Sequence, residues 1–193
     1  MLYSANVMFI LHHSKKYLFK SNNSPIFFIF VPNYNAMGEK EYDAPTHSAE
    51  HLLNQTMDRM FGCGRTFSSH IERKKSKCDY KFHRMITQEE LKQIEDTVNQ
   101  LINQNLTVSE TYIPRNEAIS QFNLSRLPES AGDSIRIVRI GNYDACPCIG
   151  PHVESTSQIG HFKILSADYT EPSGKDDHGT LRLRFKRENQ THL

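Results

Sequence analysis

Residues 44–61 read Ala-Pro-Thr-His-Ser-Ala-Glu-His-Leu-Leu-Asn-Gln-Thr-Met-Asp-Arg-Met-Phe, a stretch that predicts a long amphipathic helix. Its apolar side chains recur at helical spacing, at Leu52, Leu53, Met57, Met60 and Phe61. Asp43 or Thr46 can cap the amino end, and Gly62 and Gly64 follow the carboxyl end. The predicted helix therefore has a beginning, an end and one face for a core.

Outside this helix, strand patterns alternate with a second long helix. Thr87 and Glu90 form a capping box, and an apolar stripe follows it. Strands are predicted within 65–84 (two strands around the basic turn Arg73–Lys77), 106–112, 134–140, 159–167 and 180–186, with a short helix from Pro114. Runs of strands interrupted by two long helices predict an α+β fold with a mainly antiparallel sheet.

The composition predicts a globular protein with reduced thiols. Of its 193 residues, 37% are hydrophobic and 23% are charged, and the net charge of +1 gives no overall attraction to nucleic acid. The four cysteines come without a convincing secretory signal. This predicts a cytoplasmic location, where clustered Cys and His more often bind metal than form disulfides.

The first 36 residues differ in composition from the rest of the chain. They hold eight of the nineteen Phe and Tyr residues, three Lys, and no Asp or Glu. Their apolar runs are shorter than the roughly 20 residues that cross a bilayer, so no membrane partner is predicted. We expect residues 1–36 to be a leader, either disordered or upstream of a true start at Met37, and residues 37–193 to be the domain.

Two short motifs combine four metal-ligating side chains. His47 and His51 are four residues apart, so both imidazoles lie on one face of the predicted helix. Cys148-Ile-Gly-Pro-His152 follows a predicted strand, and its glycine and proline favour a tight loop. Three imidazoles and one thiolate are a plausible tetrahedral zinc set, and they suit magnesium or calcium poorly. Cys146 is a rival to Cys148 as the sulfur ligand.

The order of these motifs resembles a known family. His-x-x-x-His followed about a hundred residues later by Cys-x-x-x-His is similar to the editing domains of alanyl- and threonyl-tRNA synthetases. It looks most like the short free-standing alanyl-tRNA editing proteins of the AlaX type. The resemblance runs from about Asp43 to Lys186 and includes Ser68–Ile71, Ile137–Gly141 and Leu181–Phe185. It implies the family's α+β fold, a zinc ion, and hydrolysis of wrongly charged tRNA in support of translation fidelity.

The resemblance also implies a substrate. The first choice is Ser-tRNA of the alanine acceptor, followed by Gly-tRNA of the same acceptor. Gly150-Pro151-His152 departs from the Gly-Thr-His usual in alanyl editing proteins and resembles the threonyl editing domain. Ser-tRNA of the threonine acceptor is therefore an alternative.

Three further residues have open roles. His70 is a candidate substrate contact by analogy with the family, or a histidine that only lies on a strand. Glu50 is either a partner that orients a zinc histidine or a solvated helix residue. Asp144 is interpreted as a turn former.

Two basic stretches are candidates for contact with tRNA. Residues 65–84 hold seven Lys or Arg against two acidic residues, and residues 181–187 hold four basic residues and no acidic one. Basic side chains near phosphates supply affinity without reading bases. The predicted contacts are Arg73, Lys74, Lys75, Lys77, Arg182 and Arg184. A solvated charged face is the other interpretation of the same residues.

Two other functions fit part of the sequence. One is a non-catalytic RNA- or protein-binding module whose zinc is purely structural. The other is a zinc hydrolase of small molecules, but no predicted helix carries His-Glu-x-x-His and no separate general base is evident. The editing hydrolase accounts for the whole ordered set of motifs and is the preferred prediction.

Overall fold

The computed structural model describes residues 17–19, 27–29, 43–125, 127, 132–174 and 177–189. The chain divides into two compact units, Met1–Glu41 and Tyr42–Leu193. In the first unit, strand β1 (Tyr17–Phe19) pairs antiparallel with β2 (Phe27–Ile29). The predicted leader over residues 1–36 otherwise lies outside the described residues.

Helix α1 (Ala44–Phe61) begins and ends where the sequence predicts. The Asp43 carboxylate accepts a hydrogen bond from the backbone N–H of Thr46 at 3.1 Å and so caps the amino end. Gly62 adopts a left-handed φ of 63° and closes the carboxyl end. Arg187, near the end of the chain, donates to the Asp43 carboxylate at 2.9 and 3.1 Å. These bonds tie the start of α1 to the last strand.

The second unit also contains two antiparallel sheets. The strands of the larger sheet lie in the order β3 (Ser68–His70), β4 (Ser76–Phe82), β9 (Gly179–Glu188) and β8 (His161–Thr170). The smaller sheet has the order β5 (Val108–Pro114), β6 (Ser134–Ile140) and β7 (Asp144–Pro147). Helix α2 (Gln88–Asn103) begins with the predicted capping box, and the short helix α3 (Arg115–Gln121) follows β5. The predicted α+β fold with antiparallel strands is confirmed.

Helix α2 covers the free edge of the larger sheet. Asn99 donates to the carbonyl oxygen of Phe162 at 2.8 Å and accepts from its N–H at 2.9 Å. The Glu95 carboxylate accepts from the N–H of Ile164 at 2.6 Å. Because β8 is an edge strand, these side chains satisfy backbone groups that would otherwise lack a partner strand. Among the described residues, no helix is long and apolar enough to cross a membrane.

Strand β7, which no pattern in the sequence predicts, carries Asp144 and Cys146. It pairs with β6 so that Cys146 lies opposite Val138, and both are buried. Ile135 and Ile137 pack with α3 in a second hydrophobic cluster. Since neighbouring residues of a strand point to opposite faces, Val138 and Cys146 lie on the sheet face away from that cluster. β7 therefore presents Cys146 on a different side from the α3 core.

Candidate metal centre

The two histidines of α1 face the same interior space. His47 and His51 are 6% and 3% exposed, and their ring centroids are 5.1 Å apart. Their four-residue spacing places them one turn apart on the inner side of the helix. One rigid element therefore supplies two buried imidazoles.

A loop after β7 brings the other two predicted residues to this pair. The Cys148 Sγ atom lies 3.5 Å from His47 Nε2 and 3.4 Å from His152 Nε2. The rings of His47 and His152 stack with their centroids 4.3 Å apart. Arg136 of β6 holds the loop, because its Nη1 donates to the carbonyl oxygens of Cys148 at 3.2 Å and Gly150 at 2.8 Å. Two motifs about a hundred residues apart in sequence thus meet in one cluster.

Each of the three imidazoles has a partner at its Nδ1 atom. The pairs are His47 with the carbonyl oxygen of Pro151 at 3.1 Å, His51 with Asp144 Oδ2 at 3.0 Å, and His152 with Ser48 Oγ at 3.0 Å. When Nδ1 carries the proton and donates it to such a partner, Nε2 keeps a lone pair that can bind a metal. The surrounding residues therefore fix the orientation of all three rings.

The donor atoms have the spacing of a tetrahedral metal set. The ligand atoms of His47, His51, Cys148 and His152 all lie within 4.8 Å of one another. Zinc bonds of ordinary length give a sulfur–nitrogen edge of roughly 3.6 Å in a tetrahedron. The two sulfur–nitrogen distances here are 3.4 and 3.5 Å. These residues fit a metal ion that accepts mixed thiolate and imidazole ligands.

The electrostatics of two of the four residues, Cys148 and His152, favour the protonation states that a metal requires. Burial by itself raises the pKa of Cys148, but its contacts with the imidazoles of His152, His47 and His51 outweigh burial and lower the pKa to about 3. The resulting thiolate is the form that binds metal. Burial lowers the pKa of His152 to about 4, in spite of the opposing hydrogen bond with Cys148, and so favours the neutral imidazole. Burial lowers the pKa of His51, but the neighbouring Cys146 and Asp144 outweigh it and raise the pKa well above its usual range, so a metal must displace a proton from His51.

The two candidate cysteines have different environments. Cys146 is buried on β7, where its Sγ lies 3.5 Å from His51 Nδ1 and 3.9 Å from His51 Nε2. With His51 and Asp144 it forms a second, smaller group of metal-ligating side chains. Cys148, in contrast, contacts both His47 and His152. The geometry therefore groups Cys148 with the three histidines.

Asp144 has a larger role than the turn-forming one predicted from the sequence. One carboxylate oxygen lies 3.0 Å from His51 Nδ1, and the other accepts a hydrogen bond from Arg65 Nη1 at 2.6 Å. Burial raises the pKa of Asp144, but the hydrogen bond with His51 and the charge of Arg65 outweigh it and lower the pKa overall. An ionised Asp144 thus orients His51, and Arg65, which the sequence analysis did not single out, stabilises that carboxylate.

Glu50 is buried and lies beside a histidine of the cluster. It is 6% exposed, and its Oε2 atom is 3.6 Å from His47 Nε2. Its other carboxylate oxygen accepts a hydrogen bond from Asn54 at 3.1 Å, and Asn54 accepts one from the Tyr80 hydroxyl at 3.0 Å. Of the two interpretations offered by the sequence, the solvated helix residue is wrong.

Comparison with known proteins relates this cluster to a family. Residues 135–183, which include Cys148 and His152, match the family described as threonyl and alanyl tRNA synthetase second additional domain. The alanine–tRNA ligase of Thermoanaerobacter sp. (strain X514) is 35% identical over 124 residues, which is 64% of this chain and 14% of that protein. The alanine–tRNA ligases of Wolbachia pipientis wMel and Bacillus subtilis (strain 168) are 35% identical over 127 and 121 residues. The resemblance to the alanyl- and threonyl-tRNA synthetase editing domain is confirmed. The chain spans about 14% of the length of these relatives.

Four of the predicted RNA contacts lie on one turn and the strand that follows it. Residues 73–75 lie on the β3–β4 turn and are exposed, and Lys77 is half-buried on β4. The Ser76 hydroxyl closes the turn through hydrogen bonds of 2.9 Å to both the N–H and the carbonyl of Glu72. Within the part of the chain that the structure describes, no ion pair of these four residues is found.

The other two predicted RNA contacts already have carboxylate partners. Arg182 donates to both oxygens of Asp79 at 2.7 and 2.8 Å. Arg184 pairs with Asp168 and also donates to Ser166 at 3.3 Å. Their charge is therefore less accessible to a phosphate than that of the β3–β4 turn.

His70, the candidate substrate contact, lies on β3. Its Nε2 atom is 2.6 Å from a Glu72 carboxylate oxygen, and its side chain is 44% exposed. The structure does not bring it into the group of four metal-ligating residues. A contact between His70 and substrate stays a prediction.

Gly150 packs directly on His47. A Cβ atom at position 150 would lie 2.4 Å from His47 Cε1 and 2.7 Å from His47 Nδ1. Because Nδ1 is also held by the Pro151 carbonyl, the ring cannot yield without losing that contact. We expect Gly150→Ala to weaken metal binding by about 10- to 100-fold, the range typical for loss of an outer-shell partner. Competition with a chromophoric chelator measures the affinity.

The neighbouring variant Ile149→Ala is the matched control for Gly150→Ala. Ile149 belongs to the same loop but is 66% exposed, so its truncation leaves the His47 ring in place. Equal metal affinity in Gly150→Ala and wild type would show that the close contact does not position His47.

Proposed function

We propose that this chain is a zinc-dependent deacylase that removes a wrongly attached amino acid from tRNA. The main support is the convergence of His47, His51, Cys148 and His152 in a chain related to alanyl-tRNA synthetases. That relationship supports tRNA editing as the process. The zinc ion and the hydrolytic step are the proposed additions.

The proposed reaction adds water across the ester that joins an amino acid to the terminal ribose of tRNA. The bond between the acyl carbon and the ribose oxygen breaks, and the water oxygen bonds to the acyl carbon. One proton of the water goes to the ribose oxygen, which regains its hydroxyl, and the other is released as the amino acid leaves as its carboxylate. A zinc ion held by the four residues would supply a Lewis acid beside the ester when its coordination shell expands to a fifth ligand or exchanges one of the four. The chemistry requires an oriented water and a stabilised oxyanion, but it requires no nucleophilic side chain.

The chain's own residues prepare the site before substrate binds. Asp144, Ser48 and the Pro151 carbonyl hold the three imidazole rings in fixed orientations. Glu50 places a carboxylate 3.6 Å from His47 Nε2. A site whose donors are fixed by the fold needs little rearrangement when charge develops on the substrate.

The proposed RNA contacts are the basic residues named from the sequence. Residues 73–75 and Lys77 would meet phosphates, which makes binding salt-dependent. Arg182 and Arg184 would contribute less because each shares its charge with an aspartate. His70 is proposed to contact the substrate.

The proposed substrate is Ser-tRNA of the alanine acceptor, with Gly-tRNA of that acceptor as a second choice. Pro151 between Gly150 and His152 keeps the threonine acceptor as an alternative. We assign the activity to residues 37–193 and to the cytoplasm, where charged tRNA is used.

A deacylation assay with and without chelator tests the proposed function. We expect the full chain to hydrolyse Ser-tRNA, to lose at least 100-fold in rate after metal removal, and to recover when zinc is added back, because the ion is a catalytic component. Circular dichroism on the same samples separates loss of metal from loss of fold. A metal-loaded, folded chain that hydrolyses no Ser-, Gly- or Ala-tRNA would instead be a binding module with a structural zinc.

A further inference from the structure

Two histidines lie opposite each other at one end of the larger sheet, on elements that carry none of the four ligands of the metal cluster. Phe82 of β4 is paired with Gly179 of β9. Continuing that antiparallel register by one residue places His83, just after β4, opposite His178, just before β9. Their ring centroids are 6.3 Å apart. The function proposed above uses neither histidine.

The backbone that carries these two histidines is held by the packing of adjacent strands. A Cβ atom at position 179 would lie 2.2 Å from the carbonyl oxygen of Thr170, so β9 begins in close contact with β8. The Tyr169 hydroxyl of β8 donates to the carbonyl oxygen of Phe82 at 3.5 Å and so reaches the end of β4. The three strands therefore fix the points at which both imidazole side chains leave the backbone.

Asp177 holds the His178 ring in an orientation that suits a metal ligand. Its Oδ1 atom lies 2.5 Å from His178 Nδ1. When Nδ1 carries the proton and donates it to this carboxylate, Nε2 keeps the lone pair that can bind a metal. Histidines that bind metals almost always donate their other ring N–H to a carboxylate, a backbone carbonyl or water. His51 and Asp144 have the same arrangement in the metal cluster.

We propose that His83 and His178 together bind a divalent transition-metal ion, such as Ni²⁺ or Zn²⁺, at the surface of the domain. Imidazole suits zinc, copper and nickel, whereas magnesium and calcium prefer oxygen ligands. Zinc–nitrogen bonds of ordinary length place the centroids of two ligating rings roughly 5 Å apart in a tetrahedron. The His83 side chain is exposed, so a change in its side-chain torsion angles can close the difference from 6.3 Å.

The surroundings of the pair favour an exchangeable ion. Two protein ligands leave the remaining coordination positions to water, and the His178 side chain is 22% exposed. Asp177 brings one negative charge, but Lys81 lies two residues before His83 and therefore on the same face of β4, where it opposes the charge of the ion. We expect this site to bind more weakly than the buried cluster with its four ligands.

A nickel titration of the full, zinc-loaded chain tests the inference. Ni²⁺ alone is the probe, its binding is measured by calorimetry, and elemental analysis follows the zinc in the same sample. We expect one nickel ion per chain in addition to the zinc, with affinity lowered about tenfold or more in His83→Asn and in His178→Asn, because each variant removes one of two imidazole ligands. Asp177→Ala should weaken binding by about tenfold through loss of the orienting carboxylate. His161→Asn is the matched control, because His161 is exposed on β8 of the same sheet and lies outside the pair.

Thermal unfolding gives a second readout. An ion held by both histidines ties β4 to β9, so Tm of the wild type should rise with nickel concentration and that of His83→Asn should not. Equal nickel affinity in wild type and both histidine variants would overturn the pair, and so would a loss in only one of them, since a chelate needs both rings. Nickel uptake matched by an equal release of zinc would assign the binding to the Cys148 cluster and overturn the surface site. Deacylation of Ser-tRNA should be the same in wild type and His83→Asn, so failure of the proposed function would leave this inference intact.

Discussion

Replacing Cys148 or His51 with alanine should reduce bound zinc from about one equivalent per chain to well below one. Each residue supplies one of four donor atoms that lie within 4.8 Å of one another. Removing a direct ligand leaves three donors and an incompletely filled coordination shell, and we expect a larger effect than the 10- to 100-fold typical for an outer-shell partner. Elemental analysis of the purified variants measures the metal content.

Cys146→Ala is the control for this prediction. Cys146 lies 3.5 Å from His51 Nδ1 but is not in the four-residue group, so the variant should keep its metal. Loss of zinc from Cys146→Ala with retention in Cys148→Ala would show that the sulfur ligand had been misassigned. Full retention of zinc in both His51→Ala and Cys148→Ala would contradict the proposed metal centre.

Because His51 is buried, replacing it with alanine also lowers the stability of the fold, so folding of the variant is measured separately. Circular dichroism shows whether the chain remains folded, and Cys148→Ser provides a smaller change at the second ligand. A folded Cys148→Ser protein that lacks zinc assigns the loss to coordination and not to collapse of the domain.

The second large effect is the discrimination between serine and alanine as the amino acid attached to tRNA. We expect hydrolysis of Ser-tRNA of the alanine acceptor and sparing of correctly charged Ala-tRNA, with a ratio of rates of about 10⁴ or more. Serine differs from alanine by a hydroxyl, and a site that hydrogen-bonds a substrate hydroxyl discriminates strongly against the analogue that lacks it. Single-turnover deacylation of the two charged tRNAs, at equal enzyme concentration, measures the ratio.

The choice of acceptor can be tested with the same amino acid. Both the alanine and the threonine tRNA can be charged with serine, so only the RNA differs between the two reactions. Faster hydrolysis of Ser-tRNA of the threonine type would reassign the acceptor and leave the editing chemistry intact. Equal rates for Ser-tRNA and Ala-tRNA of the alanine type would contradict the proposed recognition of the hydroxyl.

The sequence determined the elements whose signals are local. Helix α1 has its cap at Asp43 and its stop at Gly62, and α2 has its capping box at Thr87, all within one turn of the helix end. The pairing of His47 with His51 could also be predicted from a local signal, since four residues make about one helical turn. The Cys148–His152 motif could also be predicted as a pair of ligands, because both residues lie in one short loop.

The tertiary structure alone decided which groups surround those ligands. Arg65 and Asp144 are 79 residues apart, and His51 and Asp144 are 93 apart, so no spacing rule connects them. Their contact depends on β7, a four-residue strand whose pairing with β6 sets which side chains face α1. A shift of one residue in that register would turn every β7 side chain to the other face of the sheet.

The same dependence on register explains the environment of the basic residues. Sequence identifies Arg182 and Arg184 as positive, but the pairing of β9 with β4 and β8 places Asp79 and Asp168 opposite Arg182. Arg182 pairs with Asp79, and Arg184 pairs with its diagonal neighbour Asp168, so both charges are neutralised. Tyr112 and Arg136 become neighbours only through the pairing of β5 with β6. Charge and ligand type are properties of single residues, whereas accessibility and partnership come from strand pairing between distant parts of the chain.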